Sequence, residues 1–209
     1  MFIHLSDLTV VFVSWLRNRS PIISQAAPFR RNSLLLLESI YPSSLQSNNG
    51  FNATPTDHVK VNFDASYLAN YRESVSGVLI REDNGLVMAA CAHPHLNVPN
   101  LEVTEALACD QAVLFARSLG FGRVIVEGDS SSVIKKVQSS SLDKSDSFAP
   151  IANVKRRISY FDNISFHYVG RSHNEPAHVL TKLGHLLPLP KTWIWETPDL
   201  IEEAIHRDR

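Results

Sequence analysis

Cysteine is scarce in this chain: two residues, Cys91 and Cys109, among 209. No C-x-x-C pair is formed, so neither a disulfide framework nor a structural zinc site of the usual spacing is available, and a reducing compartment is the simplest setting. Glycine is also sparse, at 8 residues, and no phosphate-cradling glycine motif is visible, which leaves a nucleotide cofactor unsupported. Neither sign of charge is in excess: the formal net charge is -1 and the pI is about 6.8. Any polyanion must therefore be held by local patches rather than by a global basic field. Long apolar runs are missing too. Leu8 to Leu16 falls far short of the ~20 residues that span a bilayer and has no basic residue before it, so neither a membrane span nor a secretory signal is expected.

What is present divides the chain in two. Before Glu38 the only acid is Asp7, while Arg17, Arg19, Arg30 and Arg31 sit among serines, a composition shared with organellar transit peptides; nucleus or cytoplasm is the other setting considered. Residues 42–57, PSSLQSNNGFNATPTD, read as a linker. A leader and linker over 1–57, poorly ordered or partly helical, and one folded domain over 58–209 are expected. With 44% hydrophobic and 20% charged residues, the chain can build one ordinary core.

Val59, Val61 and Phe63 alternate with Lys60, Asn62 and Asp64, the pattern of a strand with one buried face, and Asp64 ends its polar side. Ser76 to Arg81 and Leu86 to Ala92 flank Glu82-Asp83-Asn84-Gly85, in which Asn-Gly marks a hairpin turn. Leu101, Glu105, Ala108, Ala112, Phe115 and Leu119 recur at helical steps and stop at Gly120. Val124-Ile125-Val126 reads as a buried strand stopping at Glu127-Gly128-Asp129, and Ser130 to Gln138 as a second helix. Ile151, Val154, Ile158 and Phe161 give a third helical stripe; Ile164, Phe166 and Tyr168 a fifth strand; Ala177, Leu180, Gly184 and Leu187 a final helix. The order βββαβααβα predicts an α/β fold, a mixed sheet with helices on its faces.

With 21 Asp and Glu in the chain, chemistry must be sought by position. Asp64 closes a strand, Asp129 stands where a buried strand hands over to a helix, and Glu105 interrupts an apolar stripe. A lone carboxylate there needs a compensating cation, and either a metal or a nearby Arg or Lys would supply it. His93 and His95 flank a proline on an expected loop and show no zinc-type spacing. Lys135, Lys136, Lys155, Arg156 and Arg157 lie on or beside the two middle helices, either as a phosphate-contacting patch or as a solvated face.

Several segments, taken in order, resemble the ribonuclease H superfamily and specifically the plant reverse-transcriptase-like ribonuclease H domains. They are VKVNFDAS at 59–66, REDNG at 81–85, EVTEALACDQAVLFARSLGF at 102–121, VIVEGDSSSVI at 124–134, HYVGRSHNEPAHVLTKLG at 167–184 and the tail WIWETPDLIEEAIHRD at 193–208. The resemblance implies a five-stranded mixed sheet of order 3-2-1-4-5. It implies a magnesium-dependent endonuclease, with manganese as the alternative ion, acting on the RNA strand of RNA–DNA hybrid. Asp64, Glu105 and Asp129 would be the catalytic metal ligands. The position of the fourth acid of bacterial relatives is His178, matching the Ala-His that the plant domains carry; it would support a second metal or transfer a proton. Arg171 and Asn174 fall in the segment that contacts substrate. Between the two middle helices only SSSLDKSDS intervenes, so the basic protrusion of some bacterial relatives is not expected. A related exonuclease would need an acid where Ser66 stands. A monomer that binds nucleic acid is expected, with a catalytically weak or inactive binding or protein-interaction module as the alternative.

Overall fold

The computed structural model describes residues 58–141 and 143–207; the expected leader and linker of 1–57 lie outside the described residues. A meander of β1 (Val59–Leu68), β2 (Glu73–Arg81) and β3 (Val87–His95) opens the fold. It is followed by α1 (Leu101–Ser118), β4 (Arg123–Gly128), α2 (Ser131–Gln138) and α3 (Phe148–Arg157). The chain closes with β5 (Asn163–Tyr168), α4 (Glu175–Gly184), β6 (Lys191–Ile194) and α5 (Asp199–Arg207). One sheet of order β5-β4-β1-β2-β3-β6 results, with β4 parallel to both β1 and β5 and the other pairs antiparallel. No described helix is long and apolar enough to cross a membrane.

The period-2 alternation of the strands sorts side chains onto two faces. Val59, Val61 and Phe63 meet α1, α2 and α3 in one core, which also takes in Val113, Val133, Ile151 and Val154. Val75, Leu79 and Ala90 meet Leu180 of α4, Trp193 of β6 and Ile201 of α5 in a second. Each fully buried Val, Leu, Ile or Phe among them contributes about 1.5–3 kcal/mol. The helix α1 begins at Asn100, whose side chain accepts from Val103 N–H at 3.0 Å. Close approach rather than turn geometry explains Gly77: a Cβ there would stand 2.4 Å from the Ala177 carbonyl oxygen of α4.

Five expectations need correction. The sheet has six strands rather than five, because Lys191–Ile194 pairs antiparallel with Ala89–Ala92 outside β3, and α5 then packs on α4. The first strand is buried on both faces, since Lys60, Asn62 and Asp64 lie under cover as fully as Val59, Val61 and Phe63. It also continues four residues past Asp64 to Leu68, held by β2; what ends at Asp64 is the parallel pairing with β4, whose last partners are Phe63 and Gly128. His93 and His95 lie on β3, not on a loop. Pro94 between them is tolerated because the outer edge of β3 is paired only as far as Ala92. Finally, the third helix ends at Arg157, and Ile158–Tyr160 is a separate 3-10 turn.

Candidate metal centre

The parallel β1–β4 ladder carries two acids to one place. Asp64 and Asp129 each follow directly on its last paired residues, so the strand ends deliver them side by side. Gly128 permits this, because a Cβ there would run into the Phe63 ring at 2.3 Å. Glu105, near the start of α1, supplies the third. One oxygen from each of Asp64, Glu105 and Asp129 lies within 4.8 Å of the others.

These carboxylates are poorly satisfied by the protein itself. Asp64 is 1% exposed. Its Oδ1 and the Oε2 of Glu105 are buried with no hydrogen-bond partner among the described residues. Asp64 Oδ2 accepts from His178 Nδ1 of α4 at 2.7 Å. Arg171 stands at the rim, its Nε 3.4 Å from Asp129 Oδ2 and its side chain 74% exposed. Asn174 is buried and donates from Nδ2 to the Phe63 carbonyl at 2.8 Å, which fastens the start of α4 to β1 just before Asp64.

Crowding of like charge in a dry place moves the acids away from ordinary behaviour. Burial, and then the charge of Asp129, raises the Asp64 carboxyl above its usual range, against the opposing hydrogen bonds from His178 and the Ala65 amide. Glu105 is pushed up to about 8, first by burial and then by Asp64 and Asp129, while Arg171 pulls it back. Three hard oxygen donors in one place, two of them orphaned, fit a hard divalent cation, which would neutralise the cluster and take up the free lone pairs.

The sequence-derived residues thus fall into one neighbourhood: the three acids together, His178 on Asp64, Arg171 on Asp129, and Asn174 beneath rather than at the surface. The cations of the two middle helices, which the sequence leaves open as a phosphate-contacting patch or a solvated face, mostly find partners within the protein. Lys136 is bound by Glu102, Ser145 and Ser147; Lys155 donates to the Ser139 carbonyl; Arg157 pairs with Asp110 and Arg156 with Asn153. His95 shares a hydrogen bond with Ser76 at 2.8 Å, and burial holds it down at about 4. Sequence reasoning missed a buried polar set beside the acids: Lys60, Asn62, Arg81 and Glu127. Its trace in the sequence is the matched spacing of Asn62 before Asp64 and Glu127 before Asp129.

Central strand order, helices on both faces and acids at the end of the parallel ladder make this a ribonuclease H-like fold. Residues 62–184, more than half of the chain, match the family model described as reverse transcriptase-like, and the chain belongs to that family. Solved structures agree on the fold. RNase H1 from the halophilic archaeon Halobacterium salinarum NRC-1 is 22% identical with a TM-score of 0.57, over 61% of this chain and 97% of that one. The N-terminal RNase H domain of a Mycobacterium tuberculosis protein is 20% identical with a TM-score of 0.54, over 61% and 92%. LC11-RNase H1 in complex with RNA/DNA hybrid is 18% identical with a TM-score of 0.54, over 60% and 94%. No curated protein sequence matches the chain.

Proposed function

We propose that this chain binds RNA–DNA hybrid and cleaves its RNA strand with magnesium held by Asp64, Glu105 and Asp129. The observation that carries the reading is the convergence of three carboxylates within 4.8 Å, two of them with buried oxygens that no described residue satisfies. The hybrid bound by LC11-RNase H1 supports the choice of substrate. A bound divalent cation supplies charge stabilisation for in-line displacement at the phosphodiester. The chain's own residues do the rest. Asp64 is oriented by His178, so one of its oxygens is fixed and the other left for the ion. Asn174 holds the start of α4, and with it His178, against β1. Arg171, exposed beside Asp129, is free to turn toward a phosphate, and a 2′-hydroxyl contact from this rim would distinguish RNA from DNA.

A second reading, a nucleic-acid-binding module without useful catalysis, is favoured by two features. His178 occupies one oxygen of Asp64, and Lys136, Lys155 and Arg157 of the middle helices are held by internal partners. Full-length protein incubated with labelled hybrid, duplex RNA and duplex DNA separates the two. Magnesium-dependent loss of the RNA strand of the hybrid alone, abolished by chelator, is expected; retention of intact hybrid would select the binding module.

A further inference from the structure

Beside the acids lies a set of polar side chains, three of them buried and Glu127 partly so. Asn62 and Glu127 are opposite partners in the β1–β4 ladder. Asn62 Nδ2 donates to Glu127 Oε2 at 3.2 Å, Arg81 Nη2 donates to Asn62 Oδ1 at 2.7 Å, and Lys60 Nζ lies 3.3 Å from Glu127 Oε1. Lys60, Asn62 and Arg81 are 6%, 1% and 2% exposed. Asp64 follows Asn62 by two residues and Asp129 follows Glu127 by two, so each acid lies just past the end of the ladder in which the pair is a rung.

Apolar packing fixes that ladder only in part, through the Phe63 ring that a glycine at 128 admits. A slip of one residue is excluded, because it would turn Val59, Val61 and Phe63 onto the wrong face. A slip of two keeps every side chain on its own face while sliding the strands by roughly 6.6 Å, at ~3.3 Å per residue. In the slide that sets Val124 opposite Val61 and Val126 opposite Phe63, both valines would still meet apolar partners, with Val126 crowding the Phe63 ring. Asn62 and Glu127 would not meet, and buried charges would lose their hydrogen bonds, which is strongly unfavourable. Against well-packed apolar residues a buried ion pair contributes little net stability, so its effect here lies in choosing one register.

We propose that Lys60, Asn62, Arg81 and Glu127 are positioning residues that lock the β1–β4 register and thereby the spacing of Asp64 and Asp129. The inference rests on reading the three acids as a metal site. Its test is manganese binding to the full chain, followed by electron paramagnetic resonance and calorimetry together with thermal melting. Asn62→Leu, close in volume, leaves Arg81 and Glu127 without their shared partner, so it is expected to melt below wild type and, while folded, to bind manganese at least ~10-fold more weakly, the scale of losses at groups that orient metal ligands. Should that variant fail to fold, Glu127→Gln keeps the shape, removes the charge that holds Lys60, and is expected to show the same loss of affinity in a folded protein. Ile151→Val loosens the apolar core on the other sheet face without touching the polar set, and is expected to bind as wild type does. Unchanged affinity in the folded polar variants, or equal loss in Ile151→Val, would overturn the register lock and leave the metal reading standing. Wild-type protein that binds no manganese would overturn the metal reading and this inference with it.

Discussion

Glu102 and Glu105 stand one turn apart on α1 and meet opposite fates. Glu102 accepts from Lys136 and Ser147, and those hydrogen bonds draw its carboxyl below the usual range. Glu105 faces Asp64 and Asp129, keeps a buried oxygen without a partner, and is raised to about 8. The same residue type on the same helix is structural where the fold completes its hydrogen bonds. It is a candidate for chemistry where the fold withholds them.

The strongest way to break this contrast is at Asp64. Asp64→Asn preserves volume and removes charge from the orphaned site, so hybrid cleavage should fall on the order of a thousandfold or more, equivalent to the several kcal/mol that metal stabilisation is worth. Equal cleavage by variant and wild type would place the activity elsewhere. Next comes the pair itself. Glu105→Gln should weaken manganese binding by about 10-fold or more, taking outer-shell losses as the lower bound, with no loss of metal-free melting temperature because a crowded charge is removed. Glu102→Gln should leave metal affinity alone and cost about 0–1 kcal/mol in denaturant titration, the worth of an exposed pair.

His178→Asp sharpens the boundary of the site. An aspartate beside Asp64 adds a hard anionic ligand, and a few-fold lower magnesium requirement in the cleavage assay is expected. An unchanged magnesium dependence and pH profile would remove His178 from the mechanism. The last effect, on the protein without metal, is in stability against pH. The Glu105 carboxyl is raised from 4.5 to about 8 on folding, so the folded state binds the extra proton. Its contribution is complete below the lower value and lost as pH rises through the higher one. Chelator-treated protein should therefore melt at falling temperature across that window, and magnesium should flatten the trend; melting that rises with pH there would contradict the crowded-acid geometry.

Much of this was legible because it is local. The turn at Asn84-Gly85, the stripe of α1 and the apolar run of β4 each declare themselves within a few residues. Asp129 at a strand end and Glu105 in an apolar stripe are visible for the same reason. The burial of Lys60 and Asn62 was not, because it depends on Glu127 and Arg81, partners far along the chain whose charge makes a covered strand look half-exposed. Nor was β6: four residues after Pro188 and Pro190 are too few for a period, and its pairing with Ala89–Ala92 is a long-range event. His93 and His95 read as loop because Pro94 punctuates them, although an unpaired edge accommodates it. The basic run on α2 and α3 could not be told from a binding patch until its internal acids and carbonyls were seen.

Gly77, noted above only for its closeness to α4, is also the cross-strand neighbour of Asp64. The helix backbone rests on it at Ala177, and the next residue is His178. The hydrogen atom that Gly77 carries in place of a side chain is thus a spacer of minimum thickness between sheet and helix. It sets how far the imidazole can reach down. Any thicker spacer would lift the histidine from the aspartate, so the clearance of the candidate active site is gauged on a strand that contributes no reactive group to it.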